Sequence, residues 1–497
     1  MKKLILFFLA ITLLLTKINL FAQVATSYTF SSSLGVYNEL PGDTVVAIAS
    51  HTSIDPYQLN DVNYGPNRIP FIFKFNGVNY SDFMINSNGF ITFGTTAPGI
   101  SNYGPISSSE TYSGAVSALG LNLIGLFGTT ANTSTSSFVL TNVANFKGVV
   151  VGAHITAATA IPADTYITAF NTGAGTITMS KAAAIPTAGL VVQISAGSIV
   201  RSTQGAAPFR VHTIQFKNFR QYLIIGVNDN FNFQIKLFET TGAINVVYGN
   251  MDETTISLFA QVGLRGSINT DYNNRTNSVS LNWAVSSAGT LNNSTSLLSN
   301  TVFPGSGRTY IWTRVPPVAS QIKIIVQGFY NVGANRLNMR DTVRAYLRNN
   351  TAPYNVVDSA KSVIDSLTFS GSFLFANASS GTYYIEMQHR NSIETWSKSS
   401  GQVYSVGSAM NYDFTDLITK AYGSNMILRG TKFCIYSGDV NQDGIVDGTD
   451  VGTIDNDAAD FLSGYVVTDL TGDNFVDGSD YAIADNNASN FVTVMRP

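Results

Sequence analysis

Apolar and polar residues alternate with a period of two along most of this chain. Phe71-Ile72-Phe73-Lys74-Phe75, Phe233-Gln234-Ile235-Lys236-Leu237 and Ile322-Lys323-Ile324-Ile325-Val326 each place their apolar members on one side of an extended backbone. That pattern predicts strands with one buried face. Between such runs lie turn-forming pairs, among them Asn76-Gly77, Asn88-Gly89 and Thr241-Gly242, which suit tight reversals. Only 358–367 hints at a helix, and a strand fits it equally well. The body therefore reads as mainly β, with β-sandwiches as the expected architecture.

Breaks in the pattern give domain boundaries. Val315-Pro316-Pro317 follows the strand-like Tyr310-Ile311-Trp312 and interrupts pairing, because proline lacks the N–H a ladder needs. From about 129 to 198 the texture changes to Ala, Thr, Gly and Val with few aromatics. We read that stretch as a small β module inserted into a loop of the first sandwich, a place where insertions are tolerated. The expected order is a leader at 1–22, a first sandwich built from 23–128 and 199–314, the insert at 129–198, a second sandwich at 318–437 and a distinct tail at 438–497.

Composition adds an address. The chain has 497 residues, and its charged content of 12% is about half the usual share. Lys2 and Lys3, an apolar run over 4–15 and Phe21-Ala22-Gln23 have the form of a cleaved secretory signal. The expected location is secreted, extracellular or at the cell surface. No later apolar run is long enough for a membrane span. Cys434 is the only cysteine, so no intramolecular disulfide is available. The whole chain carries −3, yet 438–495 holds twelve Asp and no Glu, Lys or Arg, leaving the body at 23–437 near +5. Twelve carboxylates in so short a tail repel one another unless cations intervene. No basic stripe points to nucleic acid.

The tail names that cation. Asp439, Asn441, Asp443, Asp447 and Asp450 fall at positions 1, 3, 5, 9 and 12 of one loop, and Asp469, Thr471, Asp473, Asp477 and Asp480 repeat the spacing in a second. With the backbone carbonyls of Ile445 and Phe475 at position 7, each loop offers an oxygen-only donor set, which suits calcium. Two calcium sites are expected. Gly444 permits the sharp turn at position 6, and Asn474 substitutes for it in the second loop. Thr471 is a weaker ligand than Asn441, so the second site should bind less tightly. Val446 and Val476 are expected to pair across the two loops. Beyond the loops, Asp455-Asn456-Asp457-Ala458 matches Asp485-Asn486-Asn487-Ala488, and Phe461 matches Phe491. The unit is a duplicated loop and helix.

This tail resembles the type I dockerin, a module with EF-hand-type loops that close on Asp rather than Glu. The resemblance implies a small α-helical calcium module and, as partner, a cohesin-like scaffold protein of a polysaccharide-degrading assembly. Neither exit helix carries the Lys or Arg often used at that interface. The first block resembles a lectin-like or adhesin-like sandwich of secreted Bacteroidetes proteins. That likeness rests on Asn86-Ser87-Asn88-Gly89-Phe90-Ile91-Thr92-Phe93-Gly94, Ala207-Pro208-Phe209-Arg210-Val211, Phe233-Gln234-Ile235-Lys236-Leu237-Phe238-Glu239 and Val262-Gly263-Leu264-Arg265-Gly266; it leaves the ligand open, with a glycan among the candidates. The block around His389-Arg390-Asn391-Ser392 resembles a domain that precedes such tails, and no activity comes with it.

Other chemistry is sparse. His51, His154, His212 and His389 form no zinc-ligand spacing, and no nucleophile elbow, phosphate loop or dinucleotide fingerprint occurs. Glu239, Glu386 and Glu394 are the carboxylates a glycosidase would draw on. Trp283, Trp312 and Trp396 could stack on sugars, although strand aromatics usually fill cores. The sequence thus favours a non-catalytic surface, adhesion or carbohydrate-binding protein with no assigned catalytic residue. The alternative is an accessory or catalytic component of a polysaccharide-degrading complex, in the catalytic case a glycoside hydrolase.

Overall fold

In the computed structural model the described residues are 23–40, 44–49, 58–157, 159–222, 229–252 and 256–497. Residues 1–22, expected to be a secretory signal, and His51 lie outside them. The chain divides into two compact units, Met1–Arg314 and Val315–Pro497.

Alternation does become strands in the first unit. Phe71, Phe73 and Phe75 are buried while Ile72 between them is exposed, as a one-sided strand requires. One sheet runs in the order Tyr28–Leu34, Arg308–Arg314, Ile244–Asp252, Asn230–Phe238, Val211–Gln221, Ser198–Gln204, Thr44–Ile48. The other runs Ser287–Ala288, Tyr272–Thr276, Leu258–Arg265, Ala115–Gly120, Phe90–Phe93, Val78–Asn86, Asn63–Phe75. Phe73, Phe83, Ile91 and Val262 from the second sheet share one core with Phe216, Phe233, Ile235 and Trp312 from the first. A β-sandwich results, and the Tyr248 hydroxyl stitches its layers by donating to the Ala118 carbonyl at 2.8 Å.

The buried turn at Asn86-Ser87-Asn88-Gly89 organises the loops around it. Asn88 donates from Nδ2 to Ile100 O at 2.9 Å and Asp61 Oδ1 at 3.0 Å, while its Oδ1 accepts from Leu123 N at 3.0 Å. Gly89 sits at φ +85°, and a Cβ there would press into the Leu119 carbonyl. We expect Gly89→Ala to cost about 2–4 kcal/mol, combining left-handed strain with overpacking. A lowered chemical-denaturation midpoint for the first unit would show it.

Within the same unit, Leu126–Thr133 pairs with Thr187–Ser195, which pairs with His154–Thr156. A second small sheet joins Ile167–Asn171, Thr176–Met179 and Val139–Leu140. These strands enclose a separate core that includes Phe127, Leu140, Ile155, Ile177 and Ile194.

The second unit contains a sheet of Val356–Val363, Thr342–Asn349, Gly381–His389 and Ser392–Trp396, with Gln402–Tyr404 also on Gly381–His389. The ambiguous stretch at 358–367 is thus mostly strand; Lys361 and Val363 alternate outward beside a buried Asp358. A smaller sheet places Ser320–Lys323 between Ser370–Phe373 and Asn411–Asp413. Cys434 is buried in the shared core, and burial pushes its thiol up to about 12. The chain then ends in two helices, Gly448–Ala459 and Gly478–Ser489. Among the described residues no helix is long and apolar enough to cross a membrane.

Candidate functional site: the doubled acidic loop

Each terminal helix begins with the same device. Asp447 and Asp477 are N-caps, accepting from Thr449 N at 2.8 Å and Ser479 N at 2.7 Å. Asp450 and Asp480 complete the capping boxes by accepting from the N–H of Asp447 at 3.1 Å and Asp477 at 2.9 Å. Reciprocal caps satisfy orphan helix donors and place negative charge at the positive end of the helix. Positions 9 and 12 of each loop are therefore structural as well as acidic.

The loops wrap around their first aspartates. Asp439 is 2% exposed and Asp469 fully buried. Asp439 accepts from Asp443 N at 3.1 Å and Gly444 N at 3.2 Å. Asp469 accepts from Gly472 N at 2.7 Å and Asn474 N at 3.1 Å. From the other side, Asp450 Oδ1 accepts from Val440 N and Asn441 N, and Asp480 Oδ1 from Leu470 N and Thr471 N. Asp443 and Asp473 each take the N–H two residues on, from Ile445 and Phe475, at 3.0 Å. Gly444 and Asn474 both have positive φ, +90° and +71°, as the turn at position 6 demands.

The electrostatics suit a cation. Burial first, and then the neighbouring Asp450 carboxylate, push Asp439 up to about 6. Burial likewise raises Asp450 and Asp480. Among the described residues no three Asp, Glu, His or Cys side chains already form a tight metal cluster; the loop carboxylates are held by N–H groups instead. Those bonds leave oxygen lone pairs available, so the donor set fits a hard ion. The loops differ at position 3. Asn441 Oδ1 accepts from Asp443 N at 2.8 Å, whereas the Thr471 hydroxyl donates to Asp469 at 3.4 Å.

One expectation needs correction. Val446 N–H donates to Val492 O and Val476 N–H to Leu462 O, both at 2.9 Å. Each loop pairs with the segment trailing a helix, so the two valines do not pair with each other. Val446 packs with Ile393 and Val492, while Val476 joins Val440, Ile454, Leu470 and Ala484. Asp457 accepts from the Thr468 hydroxyl at 2.6 Å and Asp455 is exposed.

The β portion of this unit grips the second loop. Asn391 Nδ2 donates to Asp469 O at 2.9 Å, and Asn338 Nδ2 to Thr471 O at 2.8 Å. Asp341 accepts from Tyr465 OH at 2.6 Å, Arg390 Nε at 2.8 Å and His389 Nε2 at 3.0 Å. Arg390 also donates to the Val466 carbonyl and lies 4.4 Å from the Tyr465 ring centroid. Nothing in the sequence marked Asn338, Asp341 or Arg390 as partners of the tail.

The other candidates are engaged elsewhere. Glu239 is paired with Arg210 at 2.6 Å, Glu394 with Arg496 at 2.6 Å, and Glu386 with Arg348. Trp283, Trp312 and Trp396 are all buried and so fill cores rather than offering a face to a sugar. His212 is buried and pushed down to about 4, by desolvation and by Arg201.

No curated protein matches this chain. Among solved structures it is similar to two type II cohesin–X–dockerin complexes from Acetivibrio cellulolyticus. One is a C-terminal interface mutant, at 13% identity and TM-score 0.23, covering 35% of this chain and 99% of that one. The other is an N-terminal interface mutant, at 15% identity and TM-score 0.20, covering 35% of this chain and 98% of that one. A family model described as NIDO related matches residues 27–137 and 161–314. With more than half of its length matched, the chain belongs to the NIDO-related family.

Proposed function

We propose that this is a secreted, non-catalytic surface protein that binds glycans or mediates adhesion and ends in a dockerin-like module with two calcium sites. The observation that carries the metal assignment is the duplication itself. Two loops bury their first aspartate, cap their helix with the ninth residue and close on the twelfth through matching N–H bonds. Asp439, Asn441, Asp443, Ile445 O, Asp447 and Asp450 would hold one ion; Asp469, Thr471, Asp473, Phe475 O, Asp477 and Asp480 the other. Bound calcium neutralises the loop carboxylates and supplies folding free energy to the small module.

A protein partner for the tail is favoured by a separate observation. Phe461 and Phe491, at equivalent positions after the two helices, are 88% and 86% exposed. Large exposed aromatics at matched places on an otherwise acidic module suit a docking surface, and the dockerin resemblance makes a cohesin-like scaffold its candidate. Docked there, the protein would serve a polysaccharide-degrading complex.

Capture of a purified cohesin-type domain by the full chain in calcium, and its release by chelator, is the expected result. Glycan binding without release of reducing sugar should accompany it. Hydrolysis that disappeared on replacing Glu239, Glu386 or Glu394 would overturn the non-catalytic reading.

A further inference from the structure

A groove of about 380 Å³ lies where the inserted module meets the first sandwich. Its volume is within the range of small-ligand pockets. One wall is the loop bearing Asn145, Phe146 and Lys147; the other is the end of three neighbouring strands, marked by Asn218, Asn230 and Asp252. The family match passes over 138–160, so the groove joins matched residues to a wall from outside the match.

Both walls are fixed before any ligand arrives. Asn230 Nδ2 donates to Asn218 Oδ1 at 3.3 Å, and Asn218 N donates to Asn232 Oδ1 at 3.0 Å. Asn232 in turn donates to Asn230 Oδ1 and to the Asn250 carbonyl. Asn218 stands at φ +57° where the strand register shifts, turning this end of the sheet into a polar shelf. Opposite, Gly148 has φ +69° and its Cβ position is filled by the Phe127 ring. Val149 is buried in the module core, and Asn145 Oδ1 accepts from Lys147 N at 3.2 Å. A preformed lining limits the ordering cost of binding.

The lining's chemistry narrows the ligand. Amides offer donor and acceptor side by side, which matches adjacent hydroxyl groups. Phe146 is half-buried and offers an apolar face, with the exposed Phe170 ring 6.2 Å away. Lys147 and Asp252 form an ion pair with each other across the groove, so the site presents no net charge to an ionic ligand. We propose that this groove binds a neutral sugar unit of an oligosaccharide, the ring packing on Phe146 and its hydroxyls meeting Asn230 and the Lys147–Asp252 pair. The assignment rests on the glycan-binding reading above and gives it a place.

The test is calorimetry of the full chain with cellohexaose, xylohexaose and mannohexaose, and with polygalacturonate as the charged counterpart. Binding of at least one neutral oligosaccharide is expected, weakened about tenfold or more by Asn230→Ala and by Phe146→Ala. Thermal melting checks that each variant folds. If Phe146→Ala disturbs the module core, the half-exposed Asn230 amide decides. Wild-type affinity retained in a folded Asn230→Ala variant would overturn the groove while leaving glycan binding standing. Preference for polygalacturonate would overturn the neutral ligand. No binding to any of the four would overturn the groove together with the reading beneath it.

Discussion

Replacing Asp439 and Asp469 together by alanine is expected to abolish calcium binding by the full chain, reducing the calorimetric stoichiometry from two to none. Each single variant should retain one site. The expectation follows from what these carboxylates do in the fold. Asp439 receives the N–H groups of Asp443 and Gly444, and Asp469 those of Gly472 and Asn474. Alanine removes a ligand and leaves two donors beside a void, at about 1–3 kcal/mol for each unsatisfied group. Calcium at a hundred times Kd should raise the stability of the wild type by about 2.7 kcal/mol per independent site. The double variant should show no such rise. Unchanged stoichiometry in the double variant would remove the calcium assignment.

The strands and the loops were legible for different reasons. Period-two alternation reports a single buried face, and Phe71, Phe73 and Phe75 obey it because the solvent on one side and the core on the other impose it. The doubled loop was legible because its residue types recur at fixed offsets, and the capping boxes and N–H bonds they make recur with them. Where spacing does not report contact, the sequence was silent. Val446 and Val476 occupy equivalent positions, yet their partners come from the segments after the helices. The ambiguity at 358–367 was real: Val356–Val363 is an exposed strand in which polar residues dilute the alternation. The groove draws Phe146, Asn218, Asn230 and Asp252 from four separate stretches, and no local pattern could gather them. The three Trp drew attention as sugar platforms, but their bulk is spent in cores.

The attachment of the tail to the β portion was equally hidden, and it supports the second large effect. Asp341→Ala is expected to destabilise 315–497 by about 3–5 kcal/mol, the cost of stripping the partner from a buried charged network. Asp341 Oδ2 accepts from His389 and Arg390, while Oδ1 accepts from Tyr465 and from Thr342 N. Without it the Arg390 guanidinium is left beside Phe329 and Tyr465 with an unbalanced charge. Burial by itself would raise the Asp341 carboxyl, but the hydrogen bonds from His389, Tyr465 and Arg390 outweigh it and hold the group well below the usual range. A folded-state pKa below the unfolded one contributes stability that is complete above the unfolded value, about 4, and lost as pH falls toward the folded value. Wild-type 315–497 should therefore lose stability steeply below about pH 4, and Asp341→Asn should flatten that part of the profile. A double-mutant cycle of Asp341→Asn with Tyr465→Phe should give a coupling of about 1–3 kcal/mol. Thermal melts of the full chain across pH, following the second unit, read both quantities. Additive effects in the cycle and an unaltered acid limb would mean that Asp341 does not tie Tyr465, and through it the acidic loops, to the β portion.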